Sequence, residues 1–140
     1  METHTPQTND EHEVRIALLL PARQRLLSLD ATRPTLIVGK RQGKETTESA
    51  AHRTIAEISE QRTLALPRFK TYLGLGVVDG VVGFSLAPAS EGAINLRQFR
   101  IRADDFTAIS EQLDRDAEYF NPSDVEFLGR AIKRRPRHIS

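Results

Sequence analysis

The stretch TYLGLGVVDGVVGFSLA, residues 71–87, constrains the fold of this chain more than any other segment. Asp79-Gly80 lies between two Val-Val pairs. A type I′ turn needs positive φ at both central positions, which an Asp-Gly pair tolerates. A two-residue turn also sets strand register. Val78 is therefore expected to face Val81, Val77 to face Val82, Leu75 to face Phe84 and Leu73 to face Leu86. Side chains alternate across a strand. One face then collects Leu73, Leu75, Val77, Val82, Phe84 and Leu86 for a core. The other collects Gly74, Gly76, Gly83 and Ser85, with Val78 and Val81 near the turn. Glycine inside a strand often marks close approach by another backbone or a ligand. Gly74, Gly76, Gly83 and Ser85 are thus the candidate interface.

The flanking segments fill out an α+β pattern. VRIALLL (14–20) reads as a strand ended by Pro21, and PARQRLLSLD (21–30) as a short helix with Pro at its first position. TLIVG (35–39) reads as a second strand. Ala51, Ile55 and Ile58 share one face of a helix expected over 46–61. INLRQFRIR (94–102) alternates as a further strand beside the hairpin. Asp104 or Asp105 is placed to cap a helix carrying Phe106, Ile109, Leu113, Ala117 and Phe120. Asn121 and Pro122 open a last helix presenting Val125, Leu128 and Ile132. The expected fold is an antiparallel sheet built around the 70–87 hairpin plus strand 94–102, with one helix before it and two C-terminal helices. A chain of 140 residues is long enough to bury one core. The domain is expected over 13–134, between a disordered acidic and polar tail (1–12) and a basic tail (135–140).

The chemistry-bearing residues are sparse. The chain has no cysteine, which removes a disulfide framework, a thiolate zinc site and a cysteine nucleophile together, and fits a reducing compartment. GKRQGKET (39–46) follows an apolar run and precedes helical spacing, the context of a phosphate-cradling loop. That motif needs four residues between its glycines and a Ser or Thr after the lysine. Here Lys40, Arg41 and Gln42 alone separate Gly39 from Gly43, and Glu45 follows Lys44. A carboxylate stands where phosphate would have to come close. His52 shares a helical face with Glu48, but two ligands do not make a metal site. Neighbouring acids such as Asp114 and Asp116 suit a solvated helix face. No catalytic residue, cofactor or metal is expected. IALLLP falls far short of the roughly 20 apolar residues of a membrane span, and it follows acids rather than the basic flank of a signal peptide. A soluble cytoplasmic protein is the expectation.

Net charge is +1, yet the charges are segregated. Residues 14–44 hold seven bases against Asp30, residues 104–126 hold eight acids against Arg115, and GRAIKRRPRHIS at the end holds five bases and no acid. Blocks of this kind suit contact with polyanions, or pairing between the chain's own halves. Arg97, Arg100 and Arg102 on the expected strand, with Lys133, Arg134, Arg135 and Arg137 at the end, are candidate phosphate contacts. Lys40, Arg41 and Lys44 form a possible second group.

LRQFRIRADDFTAISEQLDRD, followed by NPSDVEFLGRAIKRR, resembles a ribbon-helix-helix regulator over about 40 residues: a short strand, a helix, a turn and a second helix. The resemblance implies a homodimer whose paired strands enter the DNA major groove. Gln98 and Arg100 would then read bases, and Ser123 would lie at the phosphate-contacting helix start. That arrangement requires the strand to be free of the hairpin sheet. Two readings follow. One is a non-enzymatic nucleic-acid-binding regulatory protein. The other is a protein-interaction module, an adaptor, inhibitor or subunit, using the glycine-rich hairpin face.

Overall fold

The computed structural model describes residues 13–29, 32–61, 68–91 and 101–133. The expected tails, 1–12 and 135–140, lie outside them. In chain order the elements are β1 (Glu13–Leu20), β2 (Arg25–Leu29), β3 (Ile37–Lys40), α1 (Thr47–Gln61), β4 (Phe69–Val78), β5 (Val81–Pro88), β6 (Ile101–Asp105), α2 (Phe106–Arg115), a 3-10 turn (Ala117–Tyr119) and α3 (Val125–Lys133). The fold is α+β. Six strands form one mixed sheet in the order β4-β5-β1-β2-β6, with β3 also paired to β1. The β1–β5 pair is parallel, Val14 opposite Val82 through Leu18 opposite Leu86, and the other pairs are antiparallel.

The sequence of β1 explains its central place. Val14, Ile16, Leu18 and Leu20 enter one core, where Ala50, Ala51 and Ile55 of α1 cover them. Ala17 and Leu19 point the opposite way, into a second core roofed by Phe106 and Ile109 of α2 and by Phe127, Leu128, Ala131 and Ile132 of α3. A strand buried on both faces reads as an unbroken apolar run, as IALLL does. Each large side chain moved fully out of water contributes about 1.5–3 kcal/mol, so two helical layers on one central strand anchor the domain.

Several local expectations need correction, among them the helix expected to carry Ala117 and Phe120: α2 ends at Arg115, Ala117 lies in the 3-10 turn and Phe120 follows it. Residues 21–30 do not form a helix. Pro21–Gln24 turn back, with Arg23 N–H donating to the Leu20 carbonyl at 3.1 Å, and Arg25–Leu29 continue as β2. Leu27 enters the first core and Leu26 the second. Adjacent residues on opposite faces suit a strand between two cores, and no helical face could bury both that way.

The strand expected at 94–102 is found, within the described residues, at Ile101–Asp105, and residues 92–100 lie outside them. It does not extend the hairpin. Leu29 faces Ile101 and Arg25 faces Asp105, so β6 sits beside β2 at the far side of the sheet. The hairpin's inner neighbour is β1, whose apolar residues need cover on both sides. The ribbon implied by the ribbon-helix-helix resemblance therefore pairs, in its described part, within its own chain.

The last helix begins at Val125, not at Pro122. Asn121 Oδ1 accepts from Ser123 N–H at 3.1 Å and its carbonyl from Asp124 N–H at 2.8 Å, which makes a separate turn. Ser123 lies exposed in that turn. Asp105, by contrast, caps α2 as expected: it is extended, at φ −68° and ψ 137°, and accepts from Thr107 N–H at 2.8 Å. The last correction concerns hairpin register and is taken up next.

Candidate interaction surface

The turn obeys its sequence. Asp79 and Gly80 adopt φ of 53° and 82°, and Val78 faces Val81 with Val77 facing Val82. Beyond Gly76 the register departs from the expected one. Gly76 faces Gly83, Gly74 faces Phe84, Leu73 faces Ser85 and Thr71 faces Leu86, with irregularities that leave Leu75 and Tyr72 as extra residues. A bulge shifts the alternation by one. Leu75 is thereby carried to the α3 side and buried in the second core, where Leu73 and Tyr72 also pack. Gly76, at φ +80°, supplies the left-handed backbone next to the first bulge.

The two faces are therefore not one apolar and one smooth. The face holding Val81, Gly83 and Ser85 lies under α3. A Cβ on Gly83 would stand 2.5 Å from the Phe127 ring. Ser85 is fully buried and its hydroxyl donates to the Leu73 carbonyl at 3.3 Å. The close approach at Gly83 is made by the chain's own helix, and neither residue reaches the surface. Gly74 and Gly76 remain exposed on β4, with open space around Gly74. Val77 is 58% exposed, the most open of the large apolar side chains among the described residues.

This leaves the outer edge of β4 as the candidate surface. Among the described residues the strand ends the sheet, spans ten residues and is paired to β5 on its inner side. Unpaired edge N–H and C=O groups are a template for another strand. Arg130 of α3 reaches over the middle of this edge, donating to the Leu75 carbonyl at 2.8 Å while its Nε lies 3.0 Å from Glu126. The ends differ in charge: Arg68 and Lys70 are exposed at one end, and Asp79 at the other.

The candidate cations that lie among the described residues are engaged within the chain at Arg102 and Lys133. Arg97, Gln98, Arg100, Arg134, Arg135 and Arg137 lie outside the described residues. Arg102 lies 2.7 Å from Asp104 and also donates to the Thr32 carbonyl at 2.6 Å. The Asp104 hydrogen bond leads the causes that hold its guanidinium pKa up. Lys133 Nζ lies 2.6 Å from Asp114. Lys40, Arg41 and Lys44 flank the turn between β3 and α1. There Arg53 Nε meets Glu45 at 2.6 Å, and Glu45 accepts from Gln42 N–H at 2.9 Å. Those contacts, the Arg53 one foremost, hold the Glu45 carboxyl below its usual range. The loop folds onto its own acid. The segregated charge blocks meet in the same way elsewhere: Arg25 pairs with Asp105, and Arg15 with Asp124.

Asp124 was not singled out by its sequence context. It is 1% exposed, accepts from Leu36 N–H at 3.1 Å and lies 3.2 Å from Arg15 Nη1. Arg15 also lies 3.4 Å from Glu13. Burial, the leading cause, pushes the Asp124 carboxyl up, opposed by Leu36 N–H and by Arg15. The sequence did contain a pointer: an arginine inside a strand whose neighbours are buried needs a partner.

Among the described residues, no group of three or more His, Asp or Glu stands where it could hold a metal ion. None of the described helices is long and apolar enough to cross a membrane. No protein-family model matches the chain. No curated protein matches it either.

Proposed function

We propose that this chain is a non-enzymatic protein-interaction module that associates with a second copy of itself along the outer edge of β4. The observation that carries this reading is the edge itself: ten residues at the end of the sheet among the described residues, with Arg68 and Lys70 at one end, Asp79 at the other and the exposed Gly74 and Gly76 between. Antiparallel pairing about a two-fold axis between Leu73 and Gly74 sets Arg68 opposite the partner copy's Asp79, and Lys70 opposite its Val77. Thr71 meets Gly76, so a glycine lies where two backbones converge. The two bulged residues, Tyr72 and Leu75, also fall opposite each other, which matches the irregularities of the two copies. Such an interface is isologous and closes after two subunits.

The nucleic-acid reading draws mainly on residues outside the described ones. Arg102 and Lys133, its described strand and helix members, already have carboxylates at 2.7 and 2.6 Å. Strand addition has the more direct support.

Sedimentation over a concentration series tests it. Wild type is expected to pass from monomer to dimer as concentration rises. Val77→Lys sets like charges opposite each other twice per dimer, at Lys70, and is expected to yield monomer. Adding Lys70→Glu to that variant restores opposite charges and is expected to restore the dimer. A wild type that stays monomeric, or a double variant no better than the single one, overturns the reading.

A further inference from the structure

We propose that Arg68 of one copy seats its guanidinium in an acidic cavity at the hairpin turn of the other, so that each dimer is anchored at both ends. This rests on the edge-strand pairing proposed above and names the side-chain contact that holds it. The cavity encloses about 310 Å³. Glu13 of β1, Asp79 of the turn and Glu126 of α3 line it with carboxylates, and the half-buried Val78 and Val81 give it apolar walls. Arg15 lines it too, but the buried Asp124 at 3.2 Å and Glu13 at 3.4 Å already take that charge. Glu126 shares the Arg130 guanidinium at 3.0 Å. Asp79 is exposed and has no ion pair among the described residues, and the same holds for Arg68.

Strand geometry carries Arg68 to that cavity. Phe69 enters the first core, so alternation turns Arg68 to the other face, the one under α3. A two-fold axis perpendicular to the sheet keeps that face common to both copies. The cavity lies on it as well, since Val78 and Val81 pack against the second core. The pairing sets Arg68 opposite the partner copy's Asp79, one strand spacing of about 4.8 Å away. Glu126 stands one helical turn before Arg130, which reaches over the same edge. A guanidinium suits this seat. Its planar fork of donors can meet two carboxylates at once, it is weakly hydrated, and its methylene stem can lie along Val78 and Val81. An arginine that fills a pocket is a common energetic anchor of an interface.

Because the contact runs between copies, two variants that fail apart are expected to succeed together. Arg68→Glu and Glu126→Arg each set like charges against each other twice per dimer. Each alone is expected to dimerise at least thirtyfold more weakly than wild type, about 1 kcal/mol per contact. An equimolar mixture at the same total concentration offers one reversed and one native contact, both of opposite charge. Sedimentation is expected to show it recovering at least tenfold. Arg68→Lys keeps the charge, loses the fork and leaves the cavity untouched, so it decides the matter even where Glu126→Arg fails to fold. It is expected to weaken the dimer about fivefold. A mixture no better than its components, or an Arg68→Lys dimer as tight as wild type, overturns the proposal. If Lys70→Glu still rescues Val77→Lys alongside such a result, the strand pairing stands and the anchor alone falls. A wild type that is monomeric throughout removes both.

Discussion

The ring of Phe127 occupies the space that any side chain at Gly83 would need, with an added Cβ only 2.5 Å from the ring. That contact seats α3 on the hairpin and thereby places Arg130 over the β4 edge. Gly83→Ala is expected to destabilise the fold by about 1–3 kcal/mol, as overpacking does. Gly74→Ala, made on the same hairpin where nothing lies within 4 Å, is expected to stay within about 0.5 kcal/mol of wild type. Urea unfolding of the two variants separates them, and equal effects would mean that α3 does not rest on Gly83.

Gly76 combines a left-handed backbone with close contact. Its φ is +80°, and a Cβ there would stand 2.8 Å from Arg130 Nη1. Gly76→Ala is expected to cost about 1–2 kcal/mol from the backbone term alone, with a further loss because the guanidinium is displaced from the Leu75 carbonyl. Combining it with Arg130→Ala removes the clash. The double variant is expected to lose less than the sum of the single losses, as contacting sites do. Strict additivity in thermal unfolding would contradict the contact.

Asp124 predicts an unusual pH response. A carboxyl held up by burial binds its proton more tightly when folded. Its burden is present above its raised pKa and relieved as pH falls through it. Asp105 and Glu45 run the other way, held down chiefly by Arg25 and Arg53, so their stabilisation is lost on acidification. Asp124→Asn keeps an acceptor for Leu36 N–H and loses the titration. It is expected to lie close to wild type at neutral pH and to fall behind as pH drops. Asp124→Ala strands that buried N–H and is expected to cost about 1–3 kcal/mol across the range. Denaturant unfolding at several pH values reads both. An Asn variant that lags most at neutral pH would show the Arg15 pair outweighing burial.

The loop at 39–46 makes a binding prediction. Glu45 already holds Gln42 N–H and Arg53, so magnesium and a nucleoside triphosphate are expected to leave the melting temperature unchanged. Saturable stabilisation by the nucleotide, read by differential scanning fluorimetry, would return the loop to the phosphate-binding class.

Legibility followed the range of the interaction. The Asp79-Gly80 turn, the helix over 47–61 and the Asp105 cap were readable because each depends on residues within one turn of chain. The glycines correctly marked a close approach, at Gly83, although the approaching group belongs to the same chain. The bulges at Tyr72 and Leu75 were not readable: a bulge is selected by the second core, which draws Leu73 and Leu75 toward α3.

From its sequence alone this protein has the hairpin turn, the helices over 47–61, 106–115 and 125–133 and segregated charge, but not the turn and strand at 21–29, since local steric preference and side-chain periodicity act over a few residues. Tertiary structure decided that β1 lies parallel to β5, that β6 joins β2 instead of the hairpin, and that Arg15 meets Asp124 across 109 positions. Many strand pairings offer similar backbone hydrogen bonding. What selects among them is which arrangement buries both faces of β1 while giving each enclosed charge a partner, and that is a property of the whole chain.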